Sequence, residues 1–125
     1  MHIEDIGREI VDSALRVHSL MGPGLLEGTY EVCLEHELIK RGLKAVRQIA
    51  VPVQYDGILL DAGYRLDLLV EEKVVVELKA IEQLKDIHLA QVLNYLRLGG
   101  FQLGYLMNFN VVRMKQGIKR IVNGL

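Results

Sequence analysis

The sequence has one cysteine, two prolines and no tryptophan. A single cysteine, Cys33, excludes an intramolecular disulfide and a zinc cluster built from cysteines, and it favours a reducing compartment. The scarcity of proline, together with 50% hydrophobic residues, is typical of a compact folded protein and not of a disordered chain. We expect residues 1–125 to form one domain.

Long apolar runs and an excess of charge are also missing. No stretch approaches the roughly 20 apolar residues that cross a bilayer, and the first residues lack the basic flank and apolar core of a signal peptide. The formal net charge is −1, from 15 basic and 16 acidic residues. Overall electrostatics therefore do not favour tight nonspecific binding to nucleic acid. We expect no membrane contact and a cytoplasmic location.

Hydrophobic spacing predicts an alternation of helices and strands. Apolar residues at three- and four-residue spacing predict helices at about 4–21, 26–42 and 84–98. Apolar and β-branched runs predict strands at about 44–53, 58–60, 64–70, 74–80, 103–107, 111–114 and 118–122. Asp56-Gly57 is a strong hairpin signal between the first two of these strands. The pattern predicts an α/β protein.

Two charges interrupt an otherwise apolar strand. Val74-Val75-Val76 is typical of a central strand, yet Glu77 and Lys79 follow it. Because side chains alternate along a strand, Val75, Glu77 and Lys79 share one face, whereas Val76 and Leu78 share the other. A carboxylate and an amine are therefore expected to converge on one side of the sheet.

The hairpin before this strand sets a second carboxylate against the first. If its turn is centred on Glu72, Asp67 lies opposite Glu77 and Arg65 lies opposite Lys79. Two opposed carboxylates repel each other, and partial burial raises the pKa of one, unless a cation lies between them. Carboxylate oxygens suit Mg²⁺ or Mn²⁺. Lys79 would then orient or deprotonate a water, or stabilise charge on a phosphate.

Ordinary surface chemistry explains the same residues as an alternative. Lys79 would form a salt bridge with Asp67 or Glu77, and a shift of one residue in the register would move Asp67 to the other face. Basic residues cluster at 40–47 and 113–120, where a solvated surface is the default interpretation and contact with a phosphate backbone is the functional one.

The order of these residues resembles that of the PD-(D/E)XK nucleases. Asp67 on one strand and Glu77-x-Lys79 on the next match the motif residues one for one, with Leu66 in place of the proline. On the following helix, Gln91-x-x-x-Tyr95 resembles an element of the branch that includes RecB-like nucleases.

A narrower resemblance extends over most of the chain. Gly22-Pro-Gly-Leu-Leu-Glu27 and Tyr30-Glu31, combined with the motif residues, resemble the small GxxxE group of this superfamily from about His18 to Val122. The resemblance implies a restriction-endonuclease-like α/β fold, a mixed central sheet flanked by helices with a metal at its centre. It also implies Mg²⁺ or Mn²⁺ held by Glu27, Asp67 and Glu77.

The resemblance implies a metal-dependent phosphodiesterase, a nuclease that acts on DNA or RNA. Its catalytic residues would be Asp67, Glu77, Lys79, Gln91 and Tyr95. A catalytically inactive nuclease-fold module that binds nucleic acid or protein is the alternative, and an enzyme acting on a small-molecule phosphate is a third. Because the chain is small, we expect a homodimer. The roles of His18, Glu31, Arg65 and His88 stay open between the site and the structure. Glu27 has the start of a helix as its structural alternative, and Gln91 and Tyr95 have packing of their helix against the sheet.

Overall fold

Five strands form one mixed sheet with helices on both of its faces. The computed structural model describes residues 1–125, except for the side chain of Ala62. The helices are α1 (Ile3–Met21), α2 (Glu27–Lys40), α3 (Asp86–Gly99) and α4 (Met114–Gly117). The strands are β1 (Ala45–Tyr55), β2 (Ile58–Val70), β3 (Val74–Lys79), β4 (Leu103–Asn108) and β5 (Ile118–Val122). They lie in this order across the sheet, and the predicted α/β class is confirmed.

Chain direction in the sheet follows from the connections. The β1–β2 and β2–β3 pairs are antiparallel hairpins, and β4–β5 is also antiparallel. The β3–β4 pair is parallel, so the chain must cross over between them, and α3 makes that crossing. The helix therefore runs over the face of the sheet beside the end of β3, where Lys79 lies.

The two faces of the sheet bury separate apolar clusters. Under α1 and α2, Val76 and Leu78 pack with helix residues such as Ile10 and Leu34. Under α3, a smaller cluster contains Leu66, Val75, Val92, Leu96 and Leu106. Alternation along β3 therefore places Val75 on the face opposite to Val76 and Leu78, as predicted, and that face is the one under α3. In the described part of the chain, no helix has the length and apolarity to cross a membrane.

Two strand predictions are corrected by the structure. The segments 58–60 and 64–70 belong to one strand, β2, because a register shift between Val51 and Val53 keeps it paired with β1 along its length. The segment 111–114 is not a strand: it contains bends and the first residue of α4. Since Met107 pairs antiparallel with Ile118, these residues must reverse the chain between β4 and β5.

Candidate functional site

The hairpin of β2 and β3 has the register that the sequence predicts. Its pairs are Val70 with Val74, Leu69 with Val75, and Leu68 with Val76. The next position along is Asp67, whose Oδ2 accepts a hydrogen bond from the backbone N–H of Leu78 at 2.9 Å. The described ladder ends at Leu68 and Val76, so the predicted pairs of Asp67 with Glu77 and of Arg65 with Lys79 are not among its pairs. Asp67 instead bonds the backbone of β3 next to Glu77.

An irregularity in β1 accompanies Asp67. Gln48 lies between the pairs Arg47–Leu68 and Ile49–Leu66, opposite Asp67, and its φ is 56°. A left-handed backbone is uncommon for a residue other than glycine and stores strain. Across this point β2 changes face: Leu66 packs in the α3 cluster, although Leu68, two residues on, packs under α1 and α2. The sequence carried no signal for this change.

Glu77 is a buried carboxyl without a full set of partners. The residue is 6% exposed, and its Oε1 has no hydrogen-bond partner among the described residues. Burial raises the pKa of Glu77 to about 8, with a further rise from the charge of Asp67 and from a hydrogen-bonding contact with it. Burial and Asp67 therefore favour the protonated form of Glu77, whereas a divalent cation beside it would favour the charged form.

Lys79 lies at the end of β3, next to Glu77. Its Nζ is 3.8 Å from Oε2 of Glu77, which makes an ion pair but is too long for a hydrogen bond. The ammonium lowers the pKa of Glu77, but this effect is smaller than those of burial and Asp67. The same side chain lines a cleft of about 650 Å³ between the β1–β2 hairpin and α3.

Gln91 and Tyr95 line this cleft from α3. Burial raises the pKa of the Tyr95 hydroxyl, and the negative charges of Glu77 and Asp67 raise it further, so the ring lies within electrostatic range of both carboxyl groups. The ring stacks on Tyr64 of β2 with centroids 4.4 Å apart and planes 4° from parallel. The hydroxyl of Tyr64 donates to the Tyr95 carbonyl at 2.8 Å.

Sequence reasoning missed Tyr64 as a wall of the site. Regular alternation along β2 would place Tyr64 on the face opposite to Asp67. The change of face between Leu66 and Leu68 brings Tyr64 to the α3 side instead, and the sequence carries no signal for it.

Glu27 begins α2 near the two carboxylates. Burial raises the pKa of Glu27, and the charge of Asp67 raises it further, whereas Lys79 lowers it. Three such groups are not gathered into one cluster, however. Among the described residues, no three His, Cys, Asp or Glu side chains are grouped to hold a metal ion.

Glu31, one turn further along α2, supports the irregular strand. It accepts a hydrogen bond from Nε2 of Gln48 at 2.7 Å and one from Nε of Arg47 at 3.3 Å. Glu35 also lies 3.9 Å from Arg47. Glu31 and Glu35 thus meet a cation of β1, and Glu31 ties the helix to the point where β2 changes face.

The other open residues have structural contacts. Nε2 of His18 lies 2.7 Å from the carbonyl oxygen of Val111. Nδ1 of His88 accepts the N–H of Lys85 at 2.9 Å at the start of α3, while its ring also lines the cleft. Arg65 donates to the carbonyl of Gln48 at 3.2 Å. Of these three, only His88 borders the cleft in the described residues.

The two basic clusters differ in how far acidic neighbours neutralise them. The ion pairs are Arg41 with Glu37 and Glu9, Lys44 with Glu72, Arg47 with Glu31, and Arg120 with Glu4. These contacts favour a solvated surface over a track for a phosphate backbone at 40–47, whereas at 113–120 Arg120 alone has such a contact among the described residues.

Asp67 and Glu77 have the donor chemistry of a hard divalent cation. Mg²⁺ keeps several waters and commonly takes only one or two carboxylates from the protein. The unpartnered, buried Oε1 of Glu77 and its raised pKa both indicate a position where a cation would be favourable. The residues therefore fit a metal bound by two carboxylates and water.

One comparison with known proteins gives a match. The family model of the PD-(D/E)XK nuclease superfamily matches residues 4–121. Neither the curated proteins nor the solved structures yield a match. Nucleases of the superfamily generally depend on a divalent metal. The family match and the mixed sheet flanked by helices agree, and the chain belongs to the PD-(D/E)XK nuclease superfamily and has its restriction-endonuclease-like fold.

Proposed function

We propose that the protein is a metal-dependent phosphodiesterase, a nuclease that acts on DNA or RNA. The observation that carries the proposal is the carboxyl group of Glu77, buried beside Asp67 with one oxygen unpaired among the described residues. An ordinary salt bridge does not account for this unpaired oxygen. Lys79 reaches the other oxygen, Oε2, and only at 3.8 Å.

Each residue has a proposed role. Asp67 and Glu77 hold Mg²⁺ or Mn²⁺, with Glu27 as a further ligand; the bound metal would supply Lewis-acid stabilisation of charge on the phosphate. Lys79 orients the attacking water or stabilises the phosphate. Gln91 and Tyr95 position the water or the phosphate by hydrogen bonds. The raised pKa of Tyr95 keeps its hydroxyl protonated, so that it remains a donor.

The competing function is a catalytically inactive module of the same fold that binds nucleic acid or protein. It is favoured by the lack of a ready-made cluster of three ligands among the described residues and by the Lys79–Glu77 ion pair. Metal affinity separates the two, because an inactive module has no need to retain a divalent ion at Asp67 and Glu77.

The proposal includes the GxxxE subgroup, one domain over 1–125, a cytoplasmic location and a homodimer. Support for a dimer comes from apolar residues exposed at the tip of the β1–β2 hairpin, Tyr55, Ile58 and Leu59. Sedimentation of the wild type and of Leu59→Ser tests this part. A wild type that sediments as a monomer would exclude it.

Calorimetric titration with Mn²⁺ tests the function. We expect binding in the wild type and its loss in the double variant Asp67→Asn, Glu77→Gln, which removes both charges while keeping side-chain size. Asp12→Asn, an exposed position on α1, controls for the loss of negative charge. The same samples are assayed on linear, circular and branched DNA and on RNA. A wild type that binds Mn²⁺ only as weakly as the double variant supports the inactive module.

A further inference from the structure

The cleft beside Lys79 has largely uncharged walls. The β1–β2 hairpin contributes Val53 and Leu60, and α3 contributes Ile87 and Leu98 from the opposite side. Its volume of about 650 Å³ lies within the range of pockets that enclose a small organic ligand, roughly 300–1,000 Å³. A flat molecule with apolar faces suits such walls better than a chain of phosphates does.

Positive charge is scarce among the residues that line this cleft. Lys79 is the one lysine or arginine among the described residues that line it. The hairpin segment 48–64 contains neither lysine nor arginine and carries Asp56 and Asp61. Duplex binding relies on many phosphate contacts from basic side chains. The lining of the cleft therefore does not suit a duplex backbone, although Lys79 can meet a single phosphate.

Two features of the wall suit the faces and edges of a nucleobase. The rings of Tyr64 and Tyr95 both line the cleft as an aromatic wall. They stack on each other, and the Tyr64 hydroxyl donates to the Tyr95 carbonyl. The amide groups of Gln91 and Asn94 lie along the same stretch of α3 and offer both donors and acceptors. Proteins that bind single strands combine aromatic surfaces with polar groups in this way.

We infer that this cleft binds an unpaired nucleobase beside the scissile phosphate, so that the substrate is a single-stranded nucleic acid or a single-stranded segment of a larger one. The inference rests on the proposed nuclease function, which supplies the scissile phosphate at Lys79. A paired base is stacked within its duplex and cannot enter such a cleft unless it is extruded, which costs free energy.

The first test measures binding without cleavage. Fluorescence anisotropy in the presence of Ca²⁺ compares a labelled single-stranded DNA, its duplex, and the same strand with abasic positions. We expect the single strand to bind about tenfold more tightly than the duplex or the abasic strand, which is within the range measured for base stacking. Equal affinity for the abasic strand, or tighter binding of the duplex, would overturn the inference.

Substitutions of residues that line the cleft test whether its walls bind the single strand. Leu98→Ser on α3, which removes an apolar contact, and Asn94→Ala, which removes a hydrogen-bonding group, are expected to weaken binding of the single strand about fivefold to tenfold. Ile39→Ser on α2 is a matched control, since Ile39 is 54% exposed and Leu98 is 52% exposed. Both side chains reach solvent, so the changes should leave the fold intact, which thermal unfolding verifies. Equal losses in all three variants would contradict a role for the cleft.

The outcomes separate this inference from the proposed function. Metal-dependent cleavage that prefers duplex would retain the nuclease and reject the base-binding cleft. Preferential binding of single strands without cleavage in Mn²⁺ would reject the nuclease and retain the cleft as a binding surface.

Discussion

The two faces of the sheet differ in how completely they are covered. Under α1 and α2 the core is closed, with Tyr30 stacked on Phe109 at 4.7 Å and the Tyr30 hydroxyl donating to the Gly22 carbonyl at 2.6 Å. Under α3 the apolar cluster is small, and beyond it the sheet opens into the cleft that Lys79 lines. The comparison indicates that one face supplies most of the stability and that the other holds the candidate site.

The largest expected effect is on activity, and it comes from a substitution on the face under α3, which holds the cleft. Lys79→Ala should lower kcat/KM on a cleaved nucleic acid by roughly 10²- to 10⁴-fold, because the group that acts on the water or phosphate is lost. The free energy of unfolding should change little, since Nζ lies beyond hydrogen-bond distance of Glu77 and burial and Asp67 favour the uncharged form of that carboxyl. Lys73→Ala, in the exposed turn of the same hairpin, is the control. Full activity in Lys79→Ala would remove Lys79 from the site.

On the face under α1 and α2, a core substitution should lower the free energy of unfolding and leave activity unchanged. Leu34→Ala leaves a cavity in a fully buried position and should lower the free energy of unfolding by about 2–5 kcal/mol. Molecules that remain folded should keep their activity. Leu20→Ala, exposed near the end of α1, should cost less than about 0.5 kcal/mol. Chemical denaturation measures both variants, and equal costs would contradict the division between the faces.

A third prediction uses pH to examine Glu77 in the metal-free protein. Its pKa is about 8 in the folded chain against 4.5 for the unfolded one, so folding favours the protonated form. The resulting contribution to stability is fully present below pH 4.5 and is lost as pH rises through about 8. The loss is on the order of a few kcal/mol.

Glu77→Gln should remove that pH dependence, because the amide does not titrate. Chemical denaturation in a chelating buffer measures the free energy of unfolding of both proteins across this pH range. If the variant and the wild type lost stability in parallel, another group would be responsible.

The sequence predicted the elements that depend on local pattern. The three long helices and the register of the β2–β3 hairpin follow from apolar spacing and from the position of one turn, so that Asp67 and the strand bearing Glu77 and Lys79 were correctly placed next to each other. The prediction of a strand at 111–114 was wrong because these apolar residues lie in the bends and the first helical residue where the chain reverses, and not in a ladder between strands.

Features that depend on contacts between distant segments could not be predicted. Gln48 adopts a left-handed backbone conformation within β1, and its residue type does not predict this conformation. Tyr64 meets Tyr95 only because α3 crosses the sheet at that point. Both lie at the candidate site, where local preference yields to the arrangement of the whole fold.

The smallest expected effect concerns Gln48, which lies at the point where β2 changes from one face of the sheet to the other. Glycine in a regular strand costs about 0.5–1 kcal/mol, which is the expectation for Gln54→Gly in β1. At Gln48, where φ is 56°, glycine removes strain of about 1 kcal/mol or more but also removes the hydrogen bond to Glu31. The two effects nearly cancel, so Gln48→Gly should change the free energy of unfolding by less than about 0.5 kcal/mol. A larger loss at Gln48 than at Gln54 would mean that the bond to Glu31, and not the backbone conformation, dominates at the point where β2 changes face.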